Sequence, residues 1–240
     1  MKITSLKSPK VIYWAKLKMK KYRDIENTFI IEGENLVNEA LKKGIVKEII
    51  TTENKKYNVD TYEVTYDIMK RISTLFTPSN IMAVCKFILP DDIKGNVLLL
   101  DDLQDPGNLG TIIRSAVAFN FGTIILSENA VDVYNDKVIR ASEGMIFNIN
   151  IIRDNLSSYI NILKEKGYKV YSTDVISGKN IKTVNEKLCA FVIGNEGKGV
   201  SNEIKKLCDD FIYLKMNENV ESLNAAVASS IIMYEMYNKE

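Results

Sequence analysis

The regular alternation of short apolar runs with helical segments from residue 97 onward constrains this fold more than any other feature. Runs such as 97–100 and 188–193 are continuously apolar and lack the polar alternation of a half-exposed strand. Such runs indicate strands buried on both faces, and strand–helix alternation favours a parallel sheet covered by helices on both faces. Ligands of these sheets bind at the carboxyl ends of the strands. The sequence therefore predicts an α/β fold with a mostly parallel sheet, and a site in the loops that follow its strands.

The periodicity predicts two domains. In the second, we expect strands at 97–100, 123–126, 147–152, 169–172, 188–193 and 211–214, and helices at 110–119, 136–141, 156–166, 202–207 and 222–237. In the first, we expect strands at 29–32, 46–51, 62–65 and 81–88, and helices at 34–43 and 66–75. A turn-forming cluster, PDDIKG at 90–95, separates them. The domains are therefore expected at 1–90, a small α/β unit, and at 96–240.

Charge is divided unevenly although the net charge is only +1. Residues 1–90 contain 16 Lys/Arg and 10 Asp/Glu, a balance of +6, whereas residues 91–240 contain 16 and 21, a balance of −5. The first 25 residues hold eight basic side chains and one acidic one, with Tyr13, Trp14 and Tyr22 between them. This composition suits contact with a phosphate backbone and stacking on bases. A solvated amphipathic helix explains the segment equally well.

Several classes of protein are disfavoured. The chain has no histidine, which removes the commonest general base and the commonest transition-metal ligand. No Asp, Glu and Cys are spaced as in a metal cage, so no metal is expected. The three cysteines lie singly, which suggests packing roles in a reduced cytoplasm. No apolar run is long enough for a membrane span, and the first residues lack the apolar core of a signal peptide.

The first candidate loop is DPGNLG at 105–110. It is a tight turn that leads into a helix, and Asn108 is expected to cap that helix, whose free N–H groups favour an anion. Arg114 follows among apolar neighbours. An arginine in such a helix is either a member of a buried ion pair or a phosphate clamp.

Two further loops carry polar groups. The glycines of GNEGKG at 194–199 would let the backbone approach a ligand closely, although neither the dinucleotide nor the P-loop pattern fits this segment. Glu196 could accept a hydrogen bond from a substrate or simply be solvated. Ser222 and Asn224 open the last helix, whose small residues permit close packing within the chain or against a second copy.

The order of these motifs resembles the SpoU/TrmH branch of the SPOUT RNA 2′-O-ribose methyltransferases. The matching patterns are D-x-x-x-P-x-N-x-G-x-x-x-R, then I-G-N-E-G-x-G, then V-E-S-L-N-x-x-V-A, over residues 96–240. KVIRASEGMIF at 137–147 is similar to a stretch that lines the RNA-facing side in this family. Residues 5–88 resemble its ribosomal-protein-like substrate-binding domain, through FIIEG at 29–33.

The resemblance implies a C-terminal trefoil knot, a homodimer, and S-adenosylmethionine as methyl donor without a metal. The implied donor-binding residues are Ile193, Gly194, Leu214, Met216 and Leu223. The implied catalytic residues are Asn108, Arg114, Glu196, Ser222 and Asn224. The implied RNA-binding residues, which include the basic N-terminal segment, are Lys10, Lys18, Lys20, Lys21, Arg23, Arg140 and Ser142. One departure is Lys215, which replaces the proline usual before the third motif and leaves that loop less rigid.

The reaction implied is methyl transfer to a ribose 2′-hydroxyl of RNA, most of all large-subunit ribosomal RNA. An arginine at the position of Arg114 is the family's candidate for proton removal. Deprotonating an arginine at neutral pH costs on the order of 7 kcal/mol, so a charged group that stabilises the developing alkoxide is favoured. Transfer RNA methylation, a methyltransferase conferring antibiotic resistance, and a catalytically silent RNA-binding or ribosome-assembly protein are the alternatives. Intact polar residues in all three motifs argue against the silent protein.

Overall fold

The computed structural model describes residues 1–239. Its strands are, in chain order, β1 Lys2–Ile3, β2 Thr28–Glu32, β3 Val46–Thr51, β4 Asp60–Val64, β5 Ile81–Lys86, β6 Asn96–Leu100, β7 Phe121–Leu126, β8 Asn150–Arg153, β9 Lys169–Asp174, β10 Lys179–Asn180, β11 Cys189–Ile193 and β12 Asp210–Tyr213. Its helices are α1 Pro9–Lys16, α2 Lys20–Glu26, α3 Glu34–Lys43, α4 Tyr66–Ile72, α5 Pro106–Ala118, α6 Asp136–Ala141, α7 Leu156–Glu165, α8 Asn202–Leu207 and α9 Ala225–Tyr237.

These elements form two compact units. The first comprises Met1–Leu89 and Asp132–Phe147, and the second comprises Pro90–Val131 and the chain from Asn148 onward. The expected division into 1–90 and 96–240 did not anticipate that Asp132–Phe147, with α6, would pack in the first unit. Sequence patterns could not reveal this, because local periodicity does not say which core a segment joins.

Aromatic stacking and an ion pair hold this segment in the first unit. The ring of Tyr134 stacks on Phe29 and Phe87, with centroids 4.4 Å and 4.2 Å away. Arg23 pairs with Asp132, and both side chains are largely buried. Stacked aromatic pairs stabilise a fold by more than the apolar area that they remove from water. The segment is therefore part of the core of this unit.

The first unit has a five-stranded mixed sheet in the order β1-β4-β3-β5-β2. The basic N-terminal segment forms α1 and α2 against it, not one solvated helix. Trp14 is fully buried and its Nε1 donates to Glu48 Oε2 at 2.8 Å. The expectation that Trp14 stacks on RNA bases is therefore wrong, because an indole enclosed in the core meets no ligand.

The second unit has a seven-stranded sheet in the order β10-β12-β9-β11-β6-β7-β8, and all its strand pairs are parallel. The central strands β6 and β11 are buried over nearly their whole length, as their continuous apolar runs predict. The α/β fold with a mostly parallel sheet is thereby confirmed. The predicted strand at 147–152 begins later, because Met145–Asn148 forms a 3₁₀ turn. The trefoil knot stays a prediction.

Candidate active site

Asp105, not Asn108, caps α5. The helix begins at Pro106, and the Asp105 carboxylate accepts a 2.7 Å hydrogen bond from the backbone N–H of Asn108. Proline at the first helical position is favourable because its missing N–H would have no partner there. The predicted start at residue 110 and the predicted capping role of Asn108 are therefore wrong. The correction leaves the Asn108 side chain available for other contacts.

The Asn108 side chain joins the three motifs. Its Nδ2 donates to Glu196 Oε1 at 3.1 Å, and its Oδ1 accepts from Asn224 Nδ2 at 2.9 Å. Asn224 Oδ1 meanwhile accepts from the backbone N–H groups of Ala226 and Val227 and so caps α9. Three residues predicted from separate segments thus form one hydrogen-bond network.

Glu196 is the acceptor at the end of this network. Besides Asn108, the backbone N–H groups of Gln104 and Asp105 donate to its carboxylate at 3.2 and 3.0 Å. Partial burial acts to raise the pKa of Glu196, but these donors outweigh it and lower the pKa below the ordinary value. A carboxylate engaged in this way fixes the loop before α5 relative to the loop after β11. It is ionised at neutral pH and is a poor proton acceptor.

A cavity of about 480 Å³ opens beside this network, at the carboxyl ends of β9 and β11. All five residues expected to bind the methyl donor line it, namely Ile193, Gly194, Leu214, Met216 and Leu223. Glu196, Ser222 and Asn224 line it as well. The volume and the mixture of apolar walls with a few polar groups are typical of small-molecule sites.

Sequence reasoning missed several residues at this cavity. Thr173 and Val175 line it from the end of β9, and Lys198 lines it from the glycine-rich loop. The end of β9 carries no motif, so its only signal was its place at the carboxyl end of a parallel strand.

Asn195, also missed, organises the glycine-rich loop. Its Nδ2 donates to the Asp102 carbonyl at 2.8 Å, and its Oδ1 accepts from the backbone N–H groups of Gly197 and Lys198. Gly194 beside it must be glycine, since a Cβ there would lie 2.0 Å from the carbonyl carbon of Gly199. The backbone of this loop therefore folds tightly back on itself at the wall of the cavity.

Arg114 lies farther along the same helix as Asn108. It is six residues beyond Asn108, which places it about 9 Å farther along α5 and about 120° around the helix. Its side chain is exposed, which excludes a buried position, the first of the two alternatives for this arginine. Arg114 is also outside the set of described residues that line the cavity. One turn before it, Thr111 lines a separate groove of about 310 Å³ between α5 and α9.

The predicted RNA-binding side chains divide into two groups. Those on the surface are mostly engaged in local contacts: Lys10 pairs with Glu48, Lys18 donates to two backbone carbonyls, Lys20 pairs with Asp24, Arg140 pairs with Asp136, and Lys21 is exposed. Arg23 and Ser142 are instead buried.

The burial of Arg23 and Ser142 corrects their predicted role. Besides its ion pair, Arg23 donates to the carbonyls of Leu17 and Lys18 at 2.9 and 2.8 Å. Ser142 is fully buried and donates to the carbonyl of Ile139 at 2.8 Å. Both side chains hold protein segments together and do not face a nucleic acid.

Neither a metal-binding cluster nor a membrane-spanning helix is present among residues 1–239. No three His, Cys, Asp or Glu side chains cluster in that range in a way that could hold a metal ion. None of the helices described there has the length and apolar character needed to cross a bilayer.

Comparisons with known proteins agree with this geometry. Residues 95–234 match the SpoU rRNA Methylase family, and residues 8–83 match the MRM3-like substrate binding domain. The chain is 38% identical over 245 residues to the 23S rRNA (guanosine(2553)-2′-O)-methyltransferase RlmP of Bacillus subtilis, with 98% of each chain covered.

Solved structures lead to the same family. The AdoMet-bound rRNA methyltransferase from Sinorhizobium meliloti superimposes with a TM-score of 0.90 and 26% identity, covering 100% of this chain and 98% of that one. A putative TrmH-family RNA methyltransferase from Porphyromonas gingivalis superimposes with a TM-score of 0.89 and 28% identity, covering 98% and 100%. The matched family model spans more than half of the sequence and contains all three motifs, so the chain belongs to the SpoU rRNA methylase family.

Proposed function

We propose that the protein methylates a ribose 2′-hydroxyl of large-subunit ribosomal RNA, with S-adenosylmethionine as donor. The observation that carries the proposal is the network of Asn108, Glu196 and Asn224 at the edge of a cavity lined by all five expected donor-binding residues. The Bacillus subtilis relative, named for this chemistry on 23S rRNA, and the AdoMet-bound Sinorhizobium meliloti structure support it.

The cavity fits the methyl donor by size and by the character of its walls. Apolar side chains from Ile193, Leu214, Met216 and Leu223 would contact the adenosine, and the tight backbone at Gly194 would let main-chain groups approach it. Lys215, in place of the family's proline, keeps its backbone N–H available as a donor. When bound, S-adenosylmethionine supplies an electrophilic methyl group to the ribose oxygen.

The protein's own residues position the ribose and its neighbouring phosphate. Asn108 is held in one orientation by Glu196 and Asn224, so its amide presents fixed polar atoms beside the cavity. A charged Arg114 would stabilise the developing alkoxide and bind the phosphate of the same nucleotide. Ser222 lines the cavity and would contact the polar edge of the donor.

The surface of α9 supports a homodimer. This helix is mostly apolar and has no distinct polar face, and Val227, Ile231 and Tyr234 are 47%, 37% and 51% exposed. A helix that is hydrophobic all round is normally buried. These residues, with Thr111 and Phe119, line the groove between α5 and α9, which a second copy would fill. Because Arg114 lies on α5 one turn from Thr111, it would act across that interface on the partner's cavity.

Action on ribosomal RNA would place the protein in the cytoplasm, and the target would be the counterpart of guanosine 2553 of the relative. The test is incubation with tritiated S-adenosylmethionine and unmodified 23S rRNA or unmodified tRNA, followed by mass spectrometry of the labelled ribose. We expect one 2′-O-methylguanosine in 23S rRNA. Label only in tRNA would show that the substrate is tRNA and not 23S rRNA. Binding of RNA without label would indicate a catalytically silent RNA-binding protein.

A further inference from the structure

The loop between α4 and β5 carries the most exposed aromatic side chain among residues 1–239. Phe76 is 102% exposed, whereas Tyr66 in the same unit is 53% exposed. Phe76 lies within residues 8–83, which match a substrate-binding domain. Of the aromatic residues expected to stack, Trp14 is buried and Tyr13 and Tyr22 are only partly exposed, so Phe76 offers a more exposed ring than the N-terminal helices do.

Both ends of this loop are fixed, so the exposure of Phe76 does not result from a loose segment. At its start, Ser73 Oγ donates to the Glu32 carboxylate at 2.8 Å, and Lys18 Nζ donates to the carbonyl of Ser73 at 2.6 Å. At its end, the backbone N–H of Ser79 donates to the same Glu32 at 2.7 Å. The ring is therefore held away from the protein by a braced turn.

Basic side chains lie at the base of the loop, together with the carboxylates of Glu32 and Asp136. Residues 70–80 contain Lys70 and Arg71 and no acidic side chain. Arg140, from α6, donates to Thr74 Oγ1 at 3.2 Å. The pKa of Lys18 is lowered by burial and by the neighbouring Arg71, although Glu32 opposes this effect. Basic side chains from three separate segments thus lie at the base of the loop that carries the exposed ring.

We propose that Phe76 stacks on an unpaired base of the RNA substrate while the cations at the base of its loop contact the adjoining phosphates. A single exposed apolar residue is common on protein surfaces. The braced loop and its cationic base distinguish this one, because proteins bind single-stranded RNA by combining basic side chains with aromatic stacking platforms. This inference rests on the proposed function, since it assigns a role in recognising the same RNA.

The first test compares Phe76→Ala, Phe76→Tyr and the control Tyr66→Ala. Affinity for an unmodified 23S rRNA transcript is measured by filter binding, and affinity for S-adenosylmethionine by calorimetry. Loss of one stacked base should weaken RNA binding by roughly 5- to 140-fold in Phe76→Ala. Phe76→Tyr should restore it, Tyr66→Ala should retain it, and donor affinity should stay unchanged in all three. Wild-type RNA affinity in Phe76→Ala would overturn the proposal.

The second test uses Phe76→Trp as a reporter, because the protein's own Trp14 is buried and the new indole would be exposed. A single-stranded oligoribonucleotide should quench the added emission, and a duplex of equal length should not. Equal quenching by both would overturn base stacking.

If the wild-type protein methylates 23S rRNA while Phe76→Ala binds and methylates it normally, the stacking role fails and the proposed function stands. If the wild type methylates no RNA, the proposed function fails.

Discussion

The side-chain amide of Asn224 donates a 2.9 Å hydrogen bond to the amide oxygen of Asn108, which joins the starts of α9 and α5. Asn108 in turn donates a hydrogen bond from its own side-chain amide to Glu196. Each asparagine thus has its oxygen and nitrogen assigned by its partners, so the orientation of both amides is determined. The polar groups beside the cavity are therefore arranged before any ligand binds.

Replacement of Asn108 by alanine should reduce turnover more than donor binding. The variant removes one partner each from Asn224 Nδ2 and Glu196 Oε1, and because both groups are exposed to water the total loss of stability should be at most about 1 kcal/mol. Asn108 does not line the donor cavity, so we expect S-adenosylmethionine affinity to change by less than about threefold while the single-turnover rate falls at least about tenfold. Calorimetry and rapid-quench methylation measure the two effects. A collapse of donor affinity with little loss of rate would contradict this division of roles.

A matched pair of variants can show whether the cap of α5 affects catalysis as well as helix stability. Asp105→Ala removes the acceptor for the Asn108 N–H, and Asn155→Ala removes the equivalent acceptor for the Ser158 N–H at the start of α7. Each should lower the free energy of unfolding by about 1 kcal/mol. Only Asp105→Ala should also lower the methylation rate, because only α5 carries Asn108 and Arg114. Equal rates in both variants would show that the cap contributes stability alone.

Replacement by alanine should abolish donor binding at one glycine of the 194–199 loop and leave it unchanged at another. In Gly194→Ala the new Cβ would lie 2.0 Å from the carbonyl carbon of Gly199, so the cavity wall must move and donor binding should be lost. In Gly197→Ala the nearest atom, Asn195 Oδ1, would lie 3.7 Å away, which is ordinary contact. We expect near-wild-type affinity for S-adenosylmethionine in this control. Retention of donor binding in Gly194→Ala would contradict the role of the tight backbone.

Acidic pH should remove the contribution of Glu196 to the free energy of unfolding. Its pKa in the folded protein lies below the ordinary value of 4.5, so the ionised form stabilises the fold above that pH, and the contribution is lost as pH falls through the folded pKa. Glu196→Gln has no such titration. The difference in Tm between the wild type and Glu196→Gln should therefore be constant near neutrality and shrink below about pH 4.5. Thermal unfolding followed by circular dichroism measures it, and a difference independent of pH down to 3 would exclude the proposed stabilisation.

Action of Arg114 across a dimer interface predicts complementation between two inactive variants. Arg114→Ala keeps an intact donor cavity, and Gly194→Ala keeps an intact Arg114. A heterodimer, isolated with two different affinity tags, would contain one complete site of two, so about half of the wild-type rate should return. No recovery in a purified heterodimer would indicate that Arg114 serves the cavity of its own chain.

The parallel sheet and the positions of its loops could be predicted because both depend on local patterns. Buried strands such as β6 and β11 need continuous apolar runs, and parallel strands bring their carboxyl ends to one edge. The five residues expected to bind the donor end a strand, follow a strand or precede α9, and all of them line the cavity. The error at α5 was also local: Asp105 and Asn108 are both suitable caps, and the proline after Asp105 was the signal that should have decided between them.

The sequence by itself determined which segments form strands, which loops carry polar groups and which family the motifs resemble, since spacing and residue type are properties of the chain alone. Only the tertiary structure decided which side chains are buried. Trp14, Arg23 and Ser142 are of residue types that often contact nucleic acids, but their side chains pack inside the protein. Phe76 belongs to no motif, yet its side chain is fully exposed. Burial depends on contacts between residues distant in sequence, such as Arg23 with Asp132, and no local pattern encodes them.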